Sequence, residues 1–188
     1  MQLSDPPRAG TPEGAALGIE LRFPELSDVD GLYAAVQESF PELHPWMGWC
    51  HQGYSRQETL EFIIAQAQAR TDGSGFEFLI VGEEGQILGV CGVNGIDAEA
   101  GTANLGYWIR TSATGRGLAT EAVQRLVRWT FEHTPVERIE IRAAKDNVGS
   151  RRVAAKAGAH QRKVLEGGLE VGDRTYDAVV FTLERPGS

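Results

Sequence analysis

An α/β domain in which strands outnumber helices follows from three features of this 188-residue chain. Several short stretches alternate apolar and polar residues, or run apolar between glycine-rich turns, as strands do. The segment after Gly115 carries apolar residues at helical spacing over several turns. Between them, Leu105-Gly106-Tyr107-Trp108-Ile109-Arg110 runs into Thr114-Gly115-Arg116-Gly117-Leu118-Ala119-Thr120-Glu121, a strand that feeds a helix through a glycine turn. The length suits one domain with a sizeable core.

Residues 1–16, rich in Pro, Gly and small residues, read as a loose arm, 17–185 as the domain and 186–188 as a tail. Ile19-Glu20-Leu21-Arg22 alternates and predicts a first strand. Ser27 or Asp28 can cap a helix to about Ser39, with Val29, Leu32, Tyr33 and Val36 on one face. Phe40 to Tyr54 is irregular and aromatic. Ser55 and Glu58 have capping-box spacing, which predicts a helix ending near Arg70. Phe76–Val81 and Gln86–Val93 predict a hairpin around Gly82-Glu83-Glu84-Gly85. Thr102–Arg110 reads as a strand and Gly115 to about His133 as a helix, whose Leu118, Ala122 and Leu126 adjoin Ala119, Val123 and Val127 on a broad apolar face. Arg138–Ala143 alternates Ile139 and Ile141 with charges. Asn147 opens a short helix that Gly158 stops, and strands follow near Gln161–Leu165 and Arg174–Leu183.

The composition, 41% hydrophobic and 23% charged, is that of an ordinary globular protein. Nothing approaches the roughly 18 apolar residues of a membrane span, and the start lacks a signal-peptide pattern. Two cysteines, Cys50 and Cys91, make neither a disulfide framework nor a metal tetrad, so no metal is expected and a reducing cytoplasm fits. The net charge of −8 argues against general nucleic-acid binding and favours a cationic partner such as an amine.

The glycine turn predicts a pyrophosphate cradle. Gly115 and Gly117 let an anion approach the backbone, and the helix start offers unpaired N–H groups with the positive end of the dipole. A nucleotide triphosphate loop would need Gly-Lys-Ser/Thr, but Leu118-Ala119 follows Gly117. A dinucleotide fingerprint would need glycine where Thr120 stands, and would open the domain. Glu140 lies about 20 residues on, as that fingerprint asks, but within an alternating strand.

The third cradle is that of acetyl-coenzyme A. Thr114-Gly115-Arg116-Gly117-Leu118-Ala119 resembles the Gln/Arg-x-x-Gly-x-Gly/Ala turn of the GNAT acetyltransferase superfamily. Asn147-Val148-Gly149-Ser150-Arg151-Arg152, with Lys156-Ala157-Gly158, is similar to its second coenzyme A motif. Leu-Gly-Tyr-Trp before the turn and Leu43-His44-Pro45-Trp46-Met47-Gly48-Trp49 upstream resemble the RimJ/RimL branch. The similarity spans roughly residues 17–185. Thr114 departs from the Gln or Arg of the motif, and Ala159 stands where an aromatic residue is usual.

The resemblance implies a single domain with a mixed, mostly antiparallel twisted sheet of about seven strands flanked by about four helices. It implies acetyl transfer from acetyl-CoA to a primary amine, a protein N-terminus or a small molecule, with a homodimer possible. The rival is an acyl-CoA-binding regulatory module without turnover. The N–H groups of 115–120, from Gly115 and Arg116 to Thr120, would hold the pyrophosphate, with charge from Arg116 and Arg152. Lys156 and Arg151 are further candidates. The strand edge at Trp108, Ile109 and Arg110 would pair with pantetheine. Asn147 reads as a ligand contact or as a plain helix cap. No tyrosine occurs between Asn147 and Thr175, so Ser150 is the catalytic candidate for hydrogen-bonding the departing sulfur. Trp46, Trp49, His51 and Tyr54, with Met47, would wall the acceptor pocket or form a satellite core. Glu77, Asp97, Glu99, Glu166 and Glu170 are possible proton relays, each equally readable as a surface residue. His133 suits a helix C-terminus, and nothing distinguishes His160.

Overall fold

The computed structural model describes residues 17–187, so the arm expected at 1–16 and the final residue of the tail lie outside the described residues. The chain enters as strand β1 (Ile19–Arg22), followed by helices α1 (Val29–Leu43) and α2 (Arg56–Asp72). Strands β2 (Gly75–Gly82), β3 (Ile87–Asp97) and β4 (Thr102–Ile109) come next, then helix α3 (Leu118–His133) and strand β5 (Arg138–Ala144). Helix α4 (Val148–Lys156) and the hairpin β6 (His160–Val171) and β7 (Arg174–Glu184) complete the domain. The strands form one sheet in the order β1-β2-β3-β4-β5-β7-β6, and every neighbouring pair is antiparallel except β4 and β5. This is the seven-stranded, four-helix architecture the sequence predicts.

Helices cover both faces, which is why β2 and β3 read as nearly continuous apolar runs. On one side α1 and α2 lay Val29, Leu32, Val36 and Ile63 against Leu79, Val90 and Trp108. On the other, Leu118, Ala122, Val123 and Leu126 of α3 pack on Phe78, Ile80, Leu105 and Ile141. Period-two alternation along each strand divides the two cores.

Local signals place most helix ends. The Ser55 hydroxyl accepts from Glu58 N–H while the Glu58 carboxylate accepts from Ser55 N–H, and Gly73 closes α2 at φ 73°. Asp28, in contrast, does not cap α1 with its side chain. Its carboxylate binds Arg22 at 2.6 and 2.7 Å and Glu25 N–H, within a short 3₁₀ turn at Leu26–Asp28. Helix α1 also runs past Ser39 to Leu43 with Pro41 inside it. The partner that Pro41 denies is the carbonyl of Gln37, an exposed residue whose oxygen water can satisfy. Strand β6 extends to Val171 because Gly167 and Gly168 sit in a register shift between Leu165 and Leu169. Helix α3 begins at Leu118, since Gly115 and Gly117 are left-handed and stand outside it.

The longer α1 clamps the turn after β4. Glu38 accepts from Arg110 at 2.6 Å and from Ser112 N–H at 3.0 Å, and Glu42 accepts from the Thr111 hydroxyl. Ser39, fully buried, donates to Ala35 C=O and accepts from Thr111 N–H at 3.0 Å. Removing that acceptor strands a partly buried N–H. Ser39→Ala should therefore lower unfolding free energy by about 1–3 kcal/mol in urea denaturation; an unchanged midpoint would show that the clamp carries no stability.

Candidate active site

The site begins where β4 and β5 separate. These parallel neighbours pair only at Thr102–Arg138, Ala103–Ile139 and Asn104–Glu140. Beyond Asn104 the β5 side of β4 has no strand partner among the described residues, while β5 continues beside β7 to Ala144. On its other side β4 stays paired with β3, and Arg110 N–H donates to Leu88 C=O at 2.7 Å. In an antiparallel ladder alternate residues take that role, so Trp108 and Gly106 also turn their backbone groups to β3. Tyr107 and Ile109 therefore present theirs to the gap. Of the expected edge contacts Trp108, Ile109 and Arg110, only Ile109 offers an open backbone, and Tyr107 joins it. The Arg110 guanidinium is committed to Glu38 and holds the turn.

At the mouth of the gap lies the glycine turn. Gly115 and Gly117 adopt φ of 75° and 82°, and a Cβ on Gly115 would meet nothing within 4 Å. The first internal bond of α3 runs from Glu121 N–H to Gly117 C=O, so the N–H groups of Leu118, Ala119 and Thr120 have no helical acceptor. Thr114 closes the turn by donating to Thr111 C=O. Arg116 and Arg152 are exposed and make no ion pair among the described residues, whereas Arg151 donates to Lys145 C=O. Backbone donors, a dipole end and exposed guanidinium groups converge here, the groups from which anion sites are built. Lys156 is exposed on α4.

Across the gap, Asn147 caps α4, its Oδ1 accepting from Ser150 N–H at 3.0 Å. The cap uses the side-chain oxygen and leaves the amide N–H groups for a ligand. Ser150 does meet a tyrosine. Tyr107 donates to Ser150 C=O at 2.8 Å, and its oxygen lies 3.0 Å from Ser150 Oγ. Burial pushes the Tyr107 phenol up to about 12, partly offset by the bond with Ser150. The inference from a tyrosine-free 147–175 segment missed this contact, because the ring arrives from β4.

The opposite face of β4 borders a cavity of about 310 Å³. Leu32 and Val36 come from α1, Phe62 from α2, Met47, Trp49 and Tyr54 from the connecting segment, and Val90, Gly106 and Trp108 from the sheet. Trp49 stands 6.2 Å from Trp108 and 5.5 Å from Tyr54, ring to ring. Two expected wall residues are elsewhere. Trp46 packs against Tyr176 of β7 at 5.5 Å, and His51 bonds Glu58 at 2.8 Å while accepting from Gly53 N–H. Both brace the aromatic segment from outside and do not line the cavity.

One carboxylate reaches the cavity. Glu77 lies opposite Gly92 on β3, and Gly92 lies opposite Gly106 on β4. A Cβ on Gly92 would sit 2.1 Å from Glu77 Oε2, so the carboxylate extends over the bare backbone towards β4. Above Gly106 there is open space. Burial raises the Glu77 carboxyl to about 7, and the Asn94 amide, 3.5 Å away, opposes the shift only partly. Asn94 accepts in turn from Asn104. The remaining relay candidates are outside: Asp97 caps the β3–β4 turn through Glu99 and Ala100 N–H, while Glu99, Glu166 and Glu170 are exposed. Glu77 had a readable signal, a lone charge inside the apolar run Phe76-Glu77-Phe78-Leu79.

Comparisons with known proteins bear on the family and the fold. The acetyltransferase (GNAT) domain family matches residues 19–160. The ribosomal-protein-serine acetyltransferase of Escherichia coli (strain K12) is 26% identical over 160 residues, 85% of this chain and 87% of its own. A structure of the ribosomal-protein acetyltransferase RimL with coenzyme A superposes with a TM-score of 0.86 at 21% identity, covering 93% of this chain and 98% of that one. The microcin C7 self-immunity acetyltransferase MccE, in complex with acetyl-CoA and AMP, gives 0.84 at 23% identity, covering 89% and 92%. With the family match spanning three quarters of its length, this chain belongs to the GNAT acetyltransferase family.

Proposed function

We propose that this GNAT enzyme takes the acetyl group of acetyl-CoA and passes it to a primary amine by direct attack on the thioester, with Glu77 receiving the amine proton. The observation that carries the reading is the aim of Glu77, across Gly92 and into the open space over Gly106, beside the unpaired edge of β4.

The residues fit the donor. N–H groups at Gly115, Gly117, Leu118, Ala119 and Thr120 suit a pyrophosphate, with Arg116 and Arg152 adding charge. The backbone of Tyr107 and Ile109 suits pantetheine amides, which can pair with a free strand edge. Bound acetyl-CoA supplies an acetyl group activated as a thioester.

Glu77 is matched to its task. An α-ammonium group has a pKa of about 7.7–8.0, so a carboxylate near 7 takes its proton with little free-energy change. Ser150 Oγ lies within the Tyr107 pair and can instead turn its O–H to the departing sulfur. A thiol ionises near about 8.5, well below the Tyr107 phenol at about 12. The Ser150–Tyr107 pair thus contributes hydrogen bonding to the leaving thiolate and no proton. Relatives act on ribosomal proteins by name, which puts a protein N-terminus among the acceptors to test.

Two outcomes follow. Only the ionised carboxylate can take a proton, so kcat/KM should fall about tenfold per pH unit below 7. Glu77→Gln should lower kcat by about 10²–10³-fold and move the break of that limb from about 7 up to the ionisation of the amine itself, while leaving the affinity for coenzyme A, measured by calorimetry, unchanged. A break that stays near 7 in the variant would place the base elsewhere. Because the folded-state pKa lies above the ordinary 4.5, wild-type stability declines as pH rises from 4.5 towards 7. The glutamine variant should thus be the more stable one above pH 7, by up to about 3 kcal/mol, and equal below pH 4. Ser150→Ala should reduce kcat about tenfold, the loss of one hydrogen bond, with the coenzyme A dissociation constant unaltered; the opposite pattern would make Ser150 a binding residue only.

A further inference from the structure

The cavity beside Glu77 carries information about the acceptor beyond its reacting nitrogen. Its wall is apolar or aromatic at Val36, Phe62, Trp49, Tyr54 and Trp108, supplied by α1, α2, the connecting segment and β4. Glu77 supplies the charged lining and Asn94 an amide, and Tyr107 also borders the space. No lysine or arginine lines the space, so nothing there can pair with a carboxylate or phosphate on the acceptor. Glu77 is the one carboxylate among the lining residues, so a second ammonium group would enter unpaired. At about 310 Å³ the cavity has room for a group of ring size. Trp49 and Trp108, centred 6.2 Å apart and tilted by 50°, pack on each other and offer one broad aromatic wall against which a ring can lie.

We infer that the acceptor is a primary amine whose carbon carries a bulky uncharged apolar group, of aromatic-ring size, seated against Trp49, Trp108 and Phe62 with its nitrogen at Glu77. The inference rests on the acetyl-transfer reading and narrows it. The same chemistry can come from a free arylalkylamine or from the first residue of a peptide. Recognition works by exclusion as well as contact. Serine-first peptides leave the apolar wall unfilled, free amino acids bring an unpaired carboxylate, and polyamines bring an unpaired cation. A hydrophobic site discriminates by roughly 10–200-fold for each methylene of lost contact, so the loss of a ring should be felt strongly.

The test gives the full chain acetyl-CoA and, separately, phenethylamine, ethylamine, spermidine, phenylalanine, and peptides beginning with Phe or Ser, and follows thiol release. The expected result is a kcat/KM for phenethylamine at least 30-fold above ethylamine and above spermidine. Phenylalanine should trail phenethylamine by a similar factor. Equal use of the Phe-first peptide would identify a peptide source, and its failure beside active phenethylamine a small-molecule source. Preference for spermidine or for the Ser-first peptide would overturn the inference while leaving acetyl transfer intact. Thiol release with none of the amines, although coenzyme A binds, would overturn acetyl transfer itself. A second readout is independent of turnover: phenethylamine should quench tryptophan fluorescence in the presence of coenzyme A, and ethylamine should not. Trp49→Ala, and separately Val36→Phe to fill the space, should each lower the preference for phenethylamine over ethylamine at least tenfold. A preference unchanged in both variants would also overturn the inference.

Discussion

The parting of β4 from β5 after Asn104 and Glu140 is the constraint on which the rest of this site depends. Parallel strands that pair at three positions and then diverge leave their two facing backbone edges unpaired inside an otherwise laddered sheet. The helices that follow the two strands, α3 after β4 and α4 after β5, start at the same end of the sheet. Their N-terminal donors thus flank the mouth of the gap, at the carboxyl ends of parallel strands where ligands bind in open α/β sheets. Anion site, strand edge and the Ser150–Tyr107 pair are consequences of one break in pairing.

Alternation along β4 then distributes the chemistry. Tyr107 points to the α3 and α4 side and reaches Ser150, while Trp108 points to the α1 and α2 side and walls the cavity. One position before them Gly106 contributes no side chain, so the space over its backbone is open. Gly92 does the same one strand further in, and Glu77 occupies the room. A carboxylate held there is short of water, which raises its pKa to about 7, the range the proposed base needs.

Short-range signals were legible in the sequence. The Ser55–Glu58 box, the glycine turn, the Asn147 cap and the strand–helix order all depend on residues within a few positions of one another. What escaped depends on distant partners. Arg110 was expected on the open strand edge, yet Glu38, 72 positions earlier, holds its guanidinium and its backbone pairs with β3. Tyr107 reaches Ser150 across 43 positions. Glu77 stood out only as a lone charge in an apolar run, and strand register is what sets it against two glycines. Trp46 and His51 were correctly expected in an aromatic segment, but which rings face inward is decided by β7 and α2, against which they pack. Helix α1 runs through Pro41 because a lost bond on an exposed turn is inexpensive when buried residues on both sides favour continuing.

The central claim is that the β4–β5 gap is the acetyl-CoA seat with Glu77 facing its reacting end. A crystal structure of the chain with acetyl-CoA tests it most directly. The account predicts pyrophosphate oxygens on the N–H groups between Gly115 and Thr120, pantetheine amides bonded to the backbone of Tyr107 and Ile109, and the acetyl group above Gly106 on the Glu77 side. A donor bound outside the gap, or an acetyl group turned away from Glu77, would contradict it.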